Sequence, residues 1–276
     1  MREFRPLGNT IFPPVVKNLL IINGIMFLAT NVFQGSLGFD IKEHLALFYF
    51  ESPNFRVWQL ITHLFMHGDM MHIFSNMLAL WMFGAVLENY LGSKRFLEYY
   101  ILTGLGAAVL HMGVQYLELT PMIQSAEIYT NNPSIGQFRA FIDDHVPSTI
   151  QPQFNQILSS WESNPQSVEA KQSSIAFVKQ LTDLKVNIPT VGASGAVFGL
   201  LLAFGMFFPN AMIYLYFFLP IRAKYFVILY GLFELYNGIA NNPGDNVAHF
   251  AHLGGMIIGF ILIKIWKLKR PEDQYF

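Results

Sequence analysis

Residues 192–208 read Gly-Ala-Ser-Gly-Ala-Val-Phe-Gly-Leu-Leu-Leu-Ala-Phe-Gly-Met-Phe-Phe, an apolar run with one hydroxyl, Ser194, near its start. A second apolar run, 247–266, contains Ala251-His252-Leu253-Gly254-Gly255. A hydroxyl and an imidazole are both poorly solvated by lipid, so each needs a partner or a water-filled cavity. If the two helices pack together, each group is the obvious partner of the other. A serine hydrogen-bonded to a histidine is the minimum machinery for acyl transfer.

The rest of the chain fits that setting. Of its 276 residues, 53% are hydrophobic and only 13% charged, with a mean hydropathy of +0.38. Soluble domains carry about 25% charged residues, so roughly half the usual solvating surface is missing. Six apolar runs approach the roughly 20 residues needed to cross a bilayer. They are Val15 to Phe33, Met70 to Leu91, Phe96 to Leu117, Gly192 to Phe208, Ile221 to Ile239 and Val247 to Trp266. The pattern predicts an all-α membrane protein, a bundle of six transmembrane helices. A soluble α protein rarely needs several core helices of this length.

With an even number of spans both termini share one side. That side collects Arg2, Arg5, Lys17, Lys94, Arg95, Arg222, Lys224, Lys264, Lys267, Lys269 and Arg270, against Lys42 and Arg56 in the short loops opposite. The positive-inside bias then places the termini in the cytoplasm. The first span is too long for a removable signal peptide and lacks a small-residue cleavage site. Without a transit-like N-terminus, the expected location is a bacterial inner membrane. Cysteine is absent, which excludes disulfides and thiolate metal sites. A net charge of −1 gives no basic surface suited to nucleic acid.

Three parts are expected: residues 1–117, an extracytoplasmic insertion over 118–190, and residues 191–276. The insertion is polar, yet Phe138, Phe141 and Ile142 fall at i, i+3, i+4, as do Phe154, Ile157 and Leu158 with Trp161 at i+7. Phe177, Leu181 and Leu184 repeat the spacing. Short amphipathic helices follow, with a lid or substrate-docking role as one reading and a plain spacer as the other. Residues 34–69, with the aromatic run Phe48-Tyr49-Phe50, suit a loop sunk into the interface. Asn241 to Asn246, rich in Asn, Gly and Pro, reads as a mobile cap.

The chemistry is distributed over three spans. The fourth, at about 1.5 Å per residue, is about 25 Å long, less than the roughly 30 Å hydrocarbon core. Ser194 would then stand at the floor of a recess open to water. Gly195 with Gly199 and Gly255 with Gly259 are close-packing pairs, which let helix backbones approach. Positions i±3 and i±4 from His252 hold Ala248, His249, Gly255 and Met256, so its own helix supplies no acidic partner and a Ser–His dyad is expected. Phe198, one turn after Ser194, is placed to pack on the imidazole. His72 and Asn76 share one face of the second span. The Asn76 amide, a His72 N–H and main-chain N–H groups at Ala193 and Ser194 are the candidate oxyanion donors.

These motifs, Met71-His72-Ile73-Phe74-Ser75-Asn76, Gly192-Ala193-Ser194-Gly195 and Ala251-His252-Leu253-Gly254-Gly255 with Gly259, resemble those of the rhomboid intramembrane serine proteases. The resemblance implies a rhomboid-like six-helix core, to which the helical insertion expected between helices three and four does not belong. It implies Ser194 as nucleophile, His252 as base, His72, Asn76 and main-chain N–H as oxyanion donors, and Phe198 as the aromatic against the histidine. Gly192 and Gly195 support the serine. Transmembrane proteins in a bilayer are the implied substrates, no cofactor or metal is called for, and oligomeric state is left open. Two departures stand out: the family's first outside loop commonly carries Trp-Arg, whereas this chain has Trp58-Gln59, and the large module between spans three and four has no counterpart in the basic core, so the family implies no function for it.

Other classes fit less well. A metal site from His63, His67 and His72, with His249 and His252, lacks a His-Glu-x-x-His helix or evident acidic ligands. A transporter would need acidic residues along the spans, and Glu234 has no evident partner in the sequence. The remaining alternative is a catalytically inactive rhomboid-like protein that binds transmembrane clients.

Overall fold

A computed structural model describes residues 10–215, 218–240 and 247–271. In chain order the helices are α1 (Pro14–Val32), α2 (Lys42–Leu45), α3 (Gln59–Thr62), α4 (Met70–Ala79), α5 (Ala85–Leu91), α6 (Ser93–Asn131), α7 (Ile135–His145), α8 (Asn155–Ser163), α9 (Val168–Val186), α10 (Ser194–Phe207), α11 (Ala223–Ala240) and α12 (His249–Ile265). A hairpin, β1 (Met212–Leu215) with β2 (Leu219–Arg222), is antiparallel and joins α10 to α11. A π-helical turn, Leu80–Gly84, links α4 to α5, so Met70–Leu91 is one helical span. Three stretches, Pro14–Gly35, Met70–Leu91 and Ser93–Asn131, are long and apolar enough to cross a membrane; α10 and α12 are shorter apolar helices. The protein is an all-α membrane protein.

The chain divides into two compact units. The first comprises residues 1–47, 54–111 and 189–276. Its centre is α10, in which every residue except Ser194, Leu202 and Met206 is buried. A helix apolar all round belongs in an interior, and α12 packs along it. The outer helices show the opposite pattern. On α11, Ile228, Leu229, Leu232, Phe233, Tyr236 and Ile239 are exposed, while Ala223, Val227 and Glu234 are buried. An apolar outside with a carboxylate inside is the distribution expected in lipid.

Helix ends are set by identifiable groups. Pro14 opens α1 at a position where a missing N–H costs nothing. The next two amides, of Val15 and Val16, donate to the Glu88 carboxylate at 3.0 and 2.8 Å. Glu88 is almost fully buried, also accepts from Ser93 Oγ at 2.6 Å, and so caps α1 from a different helix. Asp69 caps α4, accepting from the His72 amide at 2.9 Å, and this bond holds its carboxyl below the usual range. Gly92, at φ +81°, turns the chain between α5 and α6.

The second unit comprises residues 48–53 and 112–188. It has its own core, in which Met122, Tyr129, Phe138, Phe141, Ile142, Leu158, Trp161 and Val178 are buried together. The expected apolar stripes fall on α7, α8 and α9, except that Phe154 lies in a 3-10 turn just before α8 and Leu184 at the end of the third stripe is 62% exposed. The third apolar run extends further than its composition suggests. Helix α6 continues past Leu117 and through Pro121 to Asn131. At 39 residues it is about 58 Å long, roughly twice the hydrocarbon core.

Candidate active site

Ser194 is the first residue of α10, and Ala193 is the residue that leads into it. The approach is made by Gly192 at φ +123°, a backbone conformation rarely open to other residues. Its amide donates to the His63 carbonyl at 3.0 Å. A Cβ at Gly192 would fall 2.7 Å from His72 Nε2 and 3.6 Å from Ser194 Oγ. Gly192 therefore leaves open a spot that the nucleophile candidate and the His72 ring both border.

Two glycines bring α10 and α12 together. A Cβ at Gly255 would lie 1.8 Å from the Gly195 carbonyl oxygen, and one at Gly259 would lie 3.4 Å from Gly199 Cα. The backbones touch because nothing projects between them. On this face Phe198 stacks on His252 with ring centroids 4.1 Å apart and planes 6° apart. Tyr230 of α11 packs on the other side of the cluster, 5.0 Å from Phe198. Among the described residues no hydrogen bond joins Ser194 Oγ to His252, whose Nδ1 is bonded to Glu234. Catalytic hydrogen bonds are often long before substrate binds.

His252 has a partner that the sequence reading missed. Glu234 Oε2 accepts from His252 Nδ1 at 2.8 Å and from His249 Nδ1 at 2.6 Å. His252's own helix supplies no acid, as its sequence indicates; the acidic neighbour comes from α11. Glu234, which had no evident partner in the sequence, has two. A signal was available, since Val227, Tyr230 and Glu234 follow at i, i+3, i+7 and so share one helical face.

The oxyanion candidates are differently placed. Asn76 is buried, and its Nδ2 has no hydrogen-bond partner. A buried amide left unpaired costs about 1–3 kcal/mol. His72 Nδ1 receives a long contact, 3.4 Å, from the Gly68 amide, which assigns the ring proton to Nε2, the nitrogen beside Gly192. His67 stands edge-on to His72 at 5.1 Å, both ring nitrogens unpaired. Burial pushes its imidazole down to about 4, and does the same to His63. Both are neutral at pH 7. Behind Ser194 lies a cavity of about 20 Å³, lined by His63, His111, Thr190, Gly192, Ser194 and Ala251 among others. That is room for about one water molecule. The Asn241 to Asn246 loop, expected as a cap, lies outside the described residues.

In the first outside loop Gln59 is fully buried. Its Nε2 donates to the Asn54 carbonyl at 2.9 Å and its Oε1 accepts from the Arg56 amide at 3.0 Å, while Trp58 Nε1 reaches the His44 carbonyl at 3.0 Å. An amide can thus anchor this loop without a guanidinium.

Of the histidines weighed as metal ligands in the sequence, His63, His67 and His72 belong to no converging ligand group among the described residues. Among the described residues the one group whose ligand atoms converge is Glu234, His249 and His252, all within 4.8 Å of one another. The carboxylate–imidazole separations of 2.6 and 2.8 Å are those of hydrogen bonds. Two ligands sharing a tetrahedral zinc ion stand about 3.3 Å apart, from bonds of about 2.0–2.1 Å.

A model of the rhomboid domain matches residues 54–122 and 170–268, which take in every residue of this site. The chain belongs to the rhomboid family. It is 28% identical over 249 residues to RHOMBOID-like protein 12, mitochondrial, of Arabidopsis thaliana, covering 90% of this chain and 56% of that one. It is 39% identical over 51 residues to the rhomboid protease GlpG of Salmonella newport and of Salmonella enteritidis, 18% of each chain. The chain thus spans little more than half the length of the first of these relatives. One of them is named as mitochondrial, so family membership does not carry the bacterial inner membrane expected from the N-terminus.

Proposed function

We propose that this rhomboid is an intramembrane serine endopeptidase that hydrolyses peptide bonds in or near transmembrane segments. The observation that carries the reading is the Phe198–His252 stack across the Gly195–Gly255 contact, which sets an imidazole beside the helix that starts with Ser194. In the mechanism, His252 Nε2 takes the Ser194 proton as Oγ attacks the scissile carbonyl. The oxyanion is held by Asn76 Nδ2, His72 Nε2–H and main-chain N–H at Ala193 and Ser194. His252 then protonates the leaving amine, and a water repeats the sequence in reverse roles to release the acid.

The membrane placement belongs to the same proposal: six spans, both termini cytoplasmic, and the 118–190 insertion outside. Helix α10 has 14 residues, about 21 Å. If its far end reaches the interface, Ser194 lies below the opposite surface, and the cavity behind it has room for about one water beside the nucleophile. A substrate helix must unwind there, because its own hydrogen bonds shield the scissile carbonyl.

The test is cleavage of a panel of single-span substrates by the purified protein in lipid vesicles. The expected result is a product that disappears with Ser194→Ala and with His252→Ala. Binding of those substrates without cleavage by a folded wild type would support the client-binding alternative instead.

A further inference from the structure

Rotation of an imidazole within a helix bundle is limited by what touches its face and its edge. For His252 both are occupied. Phe198 covers a face at 4.1 Å, and Glu234 Oε2 takes the Nδ1 edge at 2.8 Å. An ionised carboxylate only accepts, so the hydrogen on this bond belongs to Nδ1 and Nε2 is left bare. That is the tautomer a general base needs. His249 approaches the same oxygen at 2.6 Å from one turn earlier on α12, so the carboxylate is held from two points. Glu234 is the one acidic residue of α11, and it faces inward although its neighbours Leu232, Phe233, Leu235 and Tyr236 face outward. An ionisable group at such a place is expensive and calls for a function.

We propose that Glu234 is the third member of the catalytic assembly, a positioning residue that fixes His252 as the Nδ1–H tautomer and balances the imidazolium formed when Nε2 takes the serine proton. This rests on the reading of Ser194 as nucleophile and His252 as base. The proton bookkeeping is simple: Nε2 gains the Ser194 proton, Nδ1 keeps its own, and Glu234 stays ionised throughout. With Ser194 engaged by Nε2 this would be a serine–histidine–carboxylate triad drawn from three helices, of which the histidine–carboxylate bond is already made.

The experiment has two readouts on the full-length protein in lipid. One is the nitrogen-15 spectrum of histidine-labelled protein, with the His252 signals identified by their loss in His252→Ala. The other is the rate of Ser194 labelling by a fluorophosphonate. The wild type is expected to show a protonated Nδ1 and a bare Nε2 on His252. Glu234→Leu should lose that preference and slow labelling by about 10²- to 10⁴-fold. Glu234→Asp should recover part of both. A wild-type His252 protonated at Nε2 would overturn the proposal even if no variant folds. So would Glu234→Leu labelling at the wild-type rate with its tautomer unchanged. A folded wild type that takes no label at all would instead overturn the protease reading, and the catalytic meaning of Glu234 with it.

Discussion

Replacing Asn76 with alanine should separate activity from stability, because its amide is a donor without a resting partner. A well-placed oxyanion donor is worth about 3–4 kcal/mol in the transition state, so kcat should fall by about 10²- to 10³-fold. The contact exists only as the oxyanion forms, so kcat and kcat/KM should fall together. Stability should hardly change. Truncation leaves a small void, but it also removes the buried unpaired Nδ2, whose desolvation costs about 1–3 kcal/mol. With the two effects opposed, the unfolding midpoint in lipid should move by less than about 4 °C. Asn76→Asp keeps the shape but puts an acceptor where a donor is needed, and should be at least as inactive. The assay is steady-state cleavage of a single-span substrate in vesicles, with thermal unfolding measured on the same samples. Cleavage within about threefold of wild type would refute the reasoning, as would an activity loss matched by a large drop in midpoint.

Three further outcomes follow from the same geometry. Gly255→Ala places a methyl 1.8 Å from the Gly195 carbonyl oxygen, a backbone atom that cannot swing away, so α10 and α12 must separate. Stability should fall by at least the roughly 1–3 kcal/mol typical of overpacking and cleavage should be lost, read by thermal unfolding and substrate cleavage. Glu88→Ala strands the Val15 and Val16 amides, and should lower stability by about 3 kcal/mol in a denaturant titration, with no change in the tautomer of His252. Acidification should destabilise the fold through His63 and His67, whose imidazoles are held at about 4 by burial. Between that value and the ordinary 6.5 the unfolded chain binds more protons. The neutral form's stabilisation is therefore complete above about pH 6.5 and is lost as pH falls toward 4. From pH 7 to pH 5 this amounts to roughly 2 kcal/mol for each histidine, a loss that His63→Gln and His67→Gln should each reduce.

The apolar runs made most of the helices legible, since length and hydropathy are local properties of a sequence. α10 begins within two residues of its expected start, and the i, i+3, i+4 apolar stripes of the insertion fall mainly on α7, α8 and α9. What composition hid was continuity. The polarity that sets in at Glu118 suggests the end of a span, yet α6 carries on to Asn131, because a helix needs neither lipid nor apolar residues to propagate. The β1–β2 hairpin was missed because Met212 to Leu215 is short and lies between two longer apolar runs. Motifs nominate Ser194, His252, His72 and Asn76 as site candidates, but they carry no information on long-range polar contacts between helices. Glu234 and Glu88 act across the bundle on residues 18 and about 72 positions away. A search confined to neighbouring turns of one helix cannot see such pairs.

The central claim is that Ser194 is a nucleophile activated by His252. It is tested most directly by treating the protein in lipid with a fluorophosphonate and mapping the adduct by peptide mass spectrometry. The account predicts a single phosphonylated residue, Ser194, and no adduct when His252 is replaced by alanine. An adduct on another residue, or equal modification of Ser194 without the imidazole, would contradict it.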